Sequence, residues 1–407
     1  MSAPSASPAH SARVISLVGA AHLMSHVYQL ALPPLFPLLA RDFEVSYTAL
    51  GLLVSVFSVA AVLGQVPMGF VVDRIGGGRV LIAGLFVQAA AIAAVAAVPS
   101  YWVLVLVIAV AGLAHSVYHP ADYAILSRAV PEGRLGRAYT FHSFSGNIGT
   151  AVAPMAMVGL AAFWDWRGAC LLVGLAGIAV ALGLIPFGGL LRGEDAKHGG
   201  AAPAASGSVP GTSLRAGVAL LLSVPILLCF FFFVILNTAF VGVRVFAPSA
   251  LVEMYAVPLA TANGALTGFI VGSAVGILAG GVLADRLGAR SLTAVIGLIG
   301  AGALLIVLGE VSLPVAAVVG LLTLAGFLRG IVQGTRDLMV YAATPAGAHG
   351  KVFAFVSTGG HVGTAIMPLV FGWILDAGEP RLTFLIAGIL ALAALATFVT
   401  VRRRVAG

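Results

Sequence analysis

The chain has 407 residues, of which 60% are hydrophobic and only 9% are charged, and its mean hydropathy is +1.10. A soluble domain of this length cannot bury that much apolar surface, so the composition predicts a chain that is solvated by lipid. The formal net charge is +7, but the basic residues are scattered over turns and form no stripe, which excludes a nucleic-acid-binding protein. Cys170 and Cys229 both fall within apolar runs, which indicates neither a disulfide framework nor a metal cluster.

The apolar residues are grouped in long runs that match membrane-spanning helices. At roughly 20 residues per span, this length accommodates about twelve of them. The predicted spans are 13–39, 47–72, 79–99, 101–127, 137–160, 167–190, 215–247, 258–284, 291–309, 313–343, 351–375 and 381–401. A polar stretch rich in Gly, Ala, Pro and Ser at 191–214 is predicted to be a cytoplasmic linker. We therefore predict an all-α membrane protein with an N-terminal six-helix half (1–190) and a C-terminal six-helix half (215–407).

The lysines and arginines between the predicted spans predict the orientation of the chain. Apart from three arginines inside spans, all but Arg41, Arg167 and Arg381 fall on the side that holds both termini. Positive residues are retained on the cytoplasmic side of a membrane. We therefore expect a multi-pass protein of the bacterial inner membrane with both termini in the cytoplasm.

The two halves repeat each other in sequence. The segment Gly69-Phe-Val-Val-Asp73-Arg74-Ile-Gly76 recurs 212 residues later as Gly281-Val-Leu-Ala-Asp285-Arg286-Leu-Gly288. A longer match relates 136–154 to 350–368 at a spacing of 214, and this spacing also aligns Gly112 with Gly326. Parallel six-helix repeats are typical of transporters whose halves rock about a central site.

These residues carry a resemblance to a known family. The duplicated Gly-x-x-x-Asp-Arg-x-Gly turn, the two sets of six spans and the central linker resemble the major facilitator superfamily across essentially the whole chain. The segment 116–120 (Ser-Val-Tyr-His-Pro), followed by Gly146-Asn147-x-Gly149, resembles the fosmidomycin-resistance branch of exporters. That branch tends to carry an acidic residue in the first helix, where this chain has His22-Leu-Met-Ser25-His26.

The resemblance implies a central cavity lined by the first, fourth, seventh and tenth helices, and a cytoplasmic gate held by the duplicated turns. A plain surface turn is the alternative to a gate. The gating residues that the resemblance implies are Gly69, Asp73, Arg74, Gly76, Gly281, Asp285, Arg286, Gly288 and Arg290.

Apart from basic residues at the first position of a span, five charged residues lie inside predicted spans: Asp122, Arg244, Arg329, Arg336 and Asp337. A charged side chain at the bilayer centre costs about 2.5–3.5 kcal/mol on insertion scales, so each is expected to face a cavity or a partner. His115, His119 and Asp122 are spaced i, i+4, i+7, which predicts one shared face of the fourth helix. The tenth helix presents Arg329, Gln333 and Arg336 on the equivalent face. An internal salt bridge that only joins helices, for instance from Asp337 to an arginine, is the alternative.

These spans are also rich in histidine, which exchanges protons near neutral pH, while arginine favours an anionic ligand. The predicted proton-coupling residues are Asp122, His119, His115 and Asp337. The predicted substrate-binding residues are His22, His26, Tyr28, Arg244, Arg329, Gln333, Arg336, His142 and His361. We expect no metal and no cofactor, because the residues near the histidines are arginines and not carboxylates or thiolates.

The eighth span carries a regular row of glycines. They recur every four residues as Gly264, Gly268, Gly272, Gly276 and Gly280. A small-residue face of this kind predicts that another helix packs closely against it.

The chain is not expected to be an enzyme, since it has no phosphate-binding loop and no extramembrane segment large enough for a catalytic domain. We predict a proton-coupled secondary transporter that acts as a monomer in the lipid bilayer on a small, anionic or amphiphilic compound. Export is favoured because the narrower resemblance is to drug exporters. Proton-coupled uptake of an organic anion is one alternative, and a transport-dead sensor or assembly subunit is another.

Overall fold

The structure is a computed structural model that describes residues 8–192, 214–287, 290–345 and 348–406. These residues form α-helices joined by short turns and 3-10 segments, with no strand in the described ranges. Within these ranges, twelve stretches are long and apolar enough to cross a membrane, which confirms the predicted fold class. They are Ala9–Phe43, Tyr47–Ile75, Gly77–Ala97, Tyr101–Ala129, Arg134–Phe163, Trp166–Leu191, Val224–Tyr255, Leu259–Gly280, Leu292–Glu310, Val315–Gln333, Phe355–Asp376 and Arg381–Val401.

Nine helices precede the predicted linker and seven follow it among the described residues. The first nine are α1 (Pro8–Gln29), α2 (Phe36–Phe43), α3 (Tyr47–Ile75), α4 (Gly77–Ala94), α5 (Tyr101–His115), α6 (Tyr118–Ala129), α7 (Glu132–Phe163), α8 (Trp166–Leu184) and α9 (Gly188–Arg192). The others are α10 (Leu214–Leu221), α11 (Val224–Tyr255), α12 (Leu259–Leu287), α13 (Arg290–Glu310), α14 (Val315–Ala343), α15 (His349–Asp376) and α16 (Arg381–Ala406). The predicted linker lies outside the described residues apart from its two ends.

The described residues form two compact units. The first contains 8–45 and 52–192, and the second contains 46–51 and 214–406. In the first unit α1 packs against α7, and α4 packs against α5, α6 and α8. In the second unit α11 packs against α15 and α16, α12 against α14, and α13 against α14 and α16.

The sequence repeat reappears in the packing of each unit. Gly112 of α5 lies directly against the carbonyl oxygen of Phe57 in α3, where a Cβ atom would clash. Gly326 of α14 lies in the same way against the carbonyl oxygen of Phe269 in α12. The two glycines are 214 residues apart and the two phenylalanines 212, so each unit repeats one backbone-to-backbone contact.

An arginine at the start of the last long helix of each unit binds backbone carbonyls in an equivalent way. In the first unit Arg167 donates from Nη1 to Val98 O (2.9 Å) and from Nη2 to Asp42 Oδ2 (2.9 Å). In the second unit Arg381 donates from Nη1 to Gly309 O (3.2 Å) and from Nη2 to Ser312 Oγ (2.6 Å). The carbonyl of Val98 follows α4, and that of Gly309 lies in the last turn of α13. Carbonyls at these positions have no donor within their own helix.

The glycine face of α12 packs closely against α14 of the same unit. Gly272 lies against the carbonyl oxygen of Thr323, and Gly276 lies against that of Phe327. A Cβ atom at either glycine would clash with this backbone, whereas one at Gly264 would meet nothing within 4 Å. The close approach is therefore confined to the middle and the end of the glycine row.

Two spans differ from the sequence prediction because of proline. The seventh was predicted to begin at 215, but α10 ends at Leu221 and α11 begins at Val224, with Pro225 in its first turn. The fourth was predicted to be continuous, but it breaks between α5 and α6, and Pro120 occupies the first turn of α6. Proline lacks a backbone N–H and is tolerated in the first turn of a helix but not in its interior. The repeat has Gly334 in place of Pro120, and α14 is continuous there.

Candidate functional site

A buried carboxylate in the first unit lies between two histidines. Asp122 of α6 is fully buried, and its Oδ2 accepts a hydrogen bond from Nε2 of His142 in α7 (2.9 Å). Nδ1 of His22 in α1 lies 3.1 Å from the same oxygen. His22 and His142 are buried as well, so three helices each place one titratable side chain at this point. We call His22, Asp122 and His142 the carboxylate–histidine triad.

A fourth residue extends the triad towards an accessible surface. The rings of His22 and His142 are stacked with centroids 3.6 Å apart. The ring of His119, which is exposed, has its centroid 5.7 Å from that of His22 and 6.3 Å from that of His142. Titratable groups therefore run from an accessible histidine to a buried carboxylate, which is an arrangement suited to passing a proton.

The Gly146-x-x-Gly149 pattern of α7 makes room for the histidines of α1. A Cβ atom at Gly146 would lie 2.8 Å from ring atoms of His26 and 3.0 Å from the ring of His22. Gly149 lies against the carbonyl oxygen of Leu23, so the two backbones meet there. Nδ1–H of His26 donates to Oγ1 of Thr150 (3.0 Å), because the hydroxyl of Thr150 itself donates to Gly146 O.

The other oxygen of the carboxylate is buried beside a tyrosine. Asp122 Oδ1 and Tyr118 Oη are both buried and make no hydrogen bond to any described residue. Tyr118 precedes Asp122 by four residues, so the two share a face of α6. Tyr118 is not among the site residues predicted from the sequence. Its spacing of four residues from Asp122 on one helix could have indicated that it belongs to the site.

Two predicted site residues have different surroundings from the triad. His115 is the last residue of α5, where its Nδ1 lies 3.3 Å from Nε2 of Gln88 and its ring 5.1 Å from that of Phe57. Because α5 ends there, the i to i+7 relation of a continuous helix does not extend to Asp122. Tyr28 is buried, and its hydroxyl donates to Val173 O of α8 (3.3 Å).

The triad also offers donor atoms that a metal ion can use. One nitrogen or oxygen from each of its residues lies within 4.8 Å of the others. The expectation of no metal rested on arginines as the neighbouring residues, but Asp122 has histidines beside it. The Oδ2–Nε2 distance of 2.9 Å is that of an imidazole N–H donating to a carboxylate. The contact between Asp122 and His142 thus matches a hydrogen-bonded pair.

The second unit carries the basic part of the predicted site. Nη1 of Arg329 in α14 donates to Oγ of Ser273 in α12 (2.8 Å), and its guanidinium lies 5.1 Å over the ring of Phe240. The guanidinium of Arg336 lies 4.3 Å over the ring of Phe233. Neither Ser273 nor the two phenylalanines had been selected from the sequence, since their contacts depend on how α11 and α12 pack against α14.

Two of the arginines in this unit have no acidic partner among the described side chains. Among the described side chains, no carboxylate forms an ion pair with Arg244 or Arg329. Nε of Arg244 is buried and makes no hydrogen bond within the described part of the chain. Arg329 also interacts electrostatically with Arg244 and Arg336. We call Arg244, Arg329 and Arg336 the arginine group.

The remaining predicted residues of the second unit are less informative. Gln333 is half-buried on α14, and His361 is exposed on α15. The side chain of Asp337 lies outside what the structure describes. The arginine group is therefore the part of this predicted site whose contacts the structure describes.

The first copy of the duplicated turn ends α3 and begins α4. Asp73 and Arg74 are exposed, and neither forms an ion pair with another described side chain. Gly76 has a φ of +91°, a backbone conformation that favours glycine. A Cβ atom at Gly69 would meet nothing within 4 Å. No basic side chain in the described part of the chain pairs with Asp73, and its role in a gate stays a prediction.

The second copy of the turn is only partly described. Gly281 lies in α12, whereas Gly288 lies outside the described residues. The side chains of Asp285, Arg286 and Arg290 also lie outside them. The predicted gate of this copy therefore stays a prediction.

Twelve apolar spans, a duplicated packing arrangement and buried charges within the bundles define a helical membrane transporter built from two repeats. A family model described as "Major Facilitator Superfamily" matches residues 18–262 and 238–407. The chain belongs to this superfamily, and its family and fold are those of a transporter and not of an enzyme.

Three curated proteins are similar in sequence. The Fosmidomycin resistance protein of Escherichia coli (strain K12) is 21% identical over 364 residues, which cover 88% of this chain and 86% of that protein. The Probable L-galactonate transporter of the same strain is 29% identical over 143 residues, or 35% and 32% of the two chains. The Uncharacterized MFS-type transporter YfnC of Bacillus subtilis (strain 168) is 25% identical over 142 residues, or 35% and 34%. The matches to the last two thus span about a third of their lengths.

Solved structures share the fold. A bacterial homolog of the human lysosomal transporter Spinster, in an inward-facing and unoccupied conformation, superposes with a TM-score of 0.80 at 14% identity. The match covers 98% of both chains. The inward-facing and occupied form of that homolog gives a TM-score of 0.78 with the same coverage.

Proposed function

We propose that this chain is a proton-coupled secondary transporter that exports a small organic anion across the bacterial inner membrane. The observation that carries the proposal is the buried carboxylate of Asp122 between the two histidines of the carboxylate–histidine triad. A buried acid that is bonded to imidazole can take up and release a proton as its access to water changes. We expect both termini to lie in the cytoplasm and the monomer to be the working form.

The arginine group supports an anion as the substrate. Arginine offers a planar set of donors that matches carboxylate and phosphate groups. Arg244 and Arg329 lack an acidic partner among the described residues, so a bound anion supplies the missing negative charge. Proton binding in one unit and anion binding in the other then bias the same alternating-access equilibrium.

The direction of transport is proposed from sequence similarity. The relative whose match covers 88% of this chain is named a resistance protein, which favours export. Uptake of an organic anion is the second candidate, because a partial match is to a Probable L-galactonate transporter. The arginine group serves either direction.

The test uses the purified full chain in liposomes with an imposed pH gradient. Accumulation of radiolabelled carboxylates, phosphonates and cationic drugs is measured with the gradient in each direction. We expect an anion to accumulate against its gradient, and Arg329→Gln to abolish this while the protein still elutes as a single peak from size-exclusion chromatography. Transport of cations alone, or unchanged transport by Arg329→Gln, would exclude the proposed anion site. A chelator is included to exclude a metal requirement at the triad.

A further inference from the structure

We infer that the substrate of this transporter carries two negative charges and that Arg244 and Arg329 each neutralise one of them. The inference rests on the proposed function, since it names the charge class of the anion bound in the second unit. A substrate with one negative charge would leave one of these arginines without a counter-charge.

The first step concerns Arg244, which lies in the apolar helix α11. Eighteen residues of this helix, from Ile226 to Leu251, are buried. The Nε atom of Arg244 has no hydrogen-bond partner among the described residues. A buried guanidinium donor without an acceptor is costly, so Arg244 is poised to donate to an anion that enters the unit.

The second step concerns Arg329, which makes its hydrogen bond and its ring contact with neutral groups among the described side chains. Its Nη1 donates to the hydroxyl of Ser273, and its guanidinium plane lies over the ring of Phe240. These contacts hold the orientation of the guanidinium but do not balance its charge. The remaining N–H groups of Arg329 are the donors with which arginine binds a carboxylate or a phosphate oxygen.

The third step is that the two charges act on one ligand. Phe240, whose ring lies 5.1 Å from the guanidinium of Arg329, precedes Arg244 by four residues and therefore shares a face of α11 with it. Arg329 thus packs against the face of α11 that carries Arg244, which brings two positive charges into one region of the unit. Repulsion between unscreened like charges in an apolar bundle is relieved by a bound anion, and more fully by two negative charges than by one. We do not count Arg336 as a ligand for the anion, because it has further contacts of its own.

Matched ligand pairs test this charge assignment. Succinate and phthalate each carry two negative charges at pH 7.5, whereas succinamate and phthalamate have nearly the same shape and carry one. The thermal stabilisation of the detergent-purified full chain by each compound gives its dissociation constant. Counterflow in liposomes shows which of the compounds are transported.

We expect each dianion to bind about tenfold or more tightly than its monoamide, since losing one charged contact costs at least that factor. Arg244→Gln and Arg329→Gln are each expected to remove most of this preference, and lysine at either position to restore part of it. Arg13→Gln is the matched control, because Arg13 is exposed at the start of α1. The control is expected to keep the full preference.

Three other outcomes would overturn the inference in distinguishable ways. Equal binding of monoamide and dianion would contradict the two-charge assignment and leave the proposed anion transport standing. A preference for the dianion that appears only in Asp337→Asn would show that Asp337 already neutralises one arginine. Binding of neither member of either pair would contradict both the inference and the proposed anionic substrate.

Discussion

Asp122 and Arg336 occupy equivalent positions in the two sequence repeats, 214 residues apart, but carry opposite charges. Asp122 contacts His22 and His142 in the first unit, whereas Arg336 lies over the ring of Phe233 in the second. The duplicated fold has thus acquired acidic chemistry in one half and basic chemistry in the other. We propose that the acidic site of the first unit couples transport to protons and that the basic site of the second unit binds the anion.

The glycine row of α12 gives a prediction about stability. Gly272→Ala is expected to lower the midpoint of thermal denaturation and the yield of folded protein, because its Cβ would clash with the backbone at Thr323. Gly264→Ala is the matched control in the same row, and its Cβ would meet nothing within 4 Å. The control is expected to be neutral or to stabilise by up to about 1 kcal/mol, since alanine favours a helix over glycine. Equal midpoints for the two variants would contradict the packing described for α12 and α14.

Much of the fold could be predicted from the sequence, since long apolar runs and a duplicated motif are properties of the chain itself. The contact between Asp122 and His142 could not be predicted, because a separation of 20 positions in the sequence leaves the crossing of α6 and α7 undetermined. The break after His115 was missed for a related reason. A proline at position 120 indicates that a helix is interrupted nearby, but it does not indicate that α5 ends at His115.

A prediction about substrate affinity follows from the hydrogen bond between Arg329 and Ser273. Ser273→Ala removes the acceptor that orients the guanidinium of Arg329. A hydrogen bond contributes about 0.5–1.5 kcal/mol, so we expect the KM for the transported anion to rise roughly two- to tenfold. Ser249→Ala is the control, because Oγ of Ser249 is buried without a hydrogen bond to a described residue. An unchanged KM in Ser273→Ala would mean that Arg329 is positioned by other contacts.

His142, which contacts the carboxylate, and His119, which lies further from it, are expected to behave differently. His142→Ala removes the shorter of the two histidine contacts to the buried oxygen of Asp122, which costs about 1–3 kcal/mol and lowers the midpoint of thermal denaturation. His119 is exposed, so His119→Ala is expected to leave the midpoint unchanged and to slow the approach to the same final accumulation. Thermal denaturation and time courses of transport separate these effects. A larger loss of stability in His119→Ala than in His142→Ala would reverse the assignment.

The family resemblance predicts a cytoplasmic gate, and substitution of the aspartate in each copy of the turn tests it. Asp285→Asn is expected to lower transport and favour the inward-open state, because the anion that holds the cytoplasmic side shut is lost. Asp73→Asn is expected to lower transport less. The family resemblance implies two basic residues directly after the turn, and the first copy has Gly77 and Gly78 at those positions. The accessibility of introduced cysteines from each side of the membrane measures the population of the inward-open state. An unchanged accessibility pattern in Asp285→Asn would rule out its role as a latch.

The central claim is that Asp122 couples transport to the proton gradient, and Asp122→Asn tests it most directly. Asparagine has nearly the same shape but does not titrate. Two quantities are measured in liposomes with the same preparation of protein: accumulation of the anion under an imposed pH gradient, and exchange of labelled for unlabelled anion without one. The account predicts that Asp122→Asn loses accumulation and retains exchange, because exchange needs no net movement of protons. Accumulation at the wild-type level by Asp122→Asn would contradict it and place the proton site elsewhere.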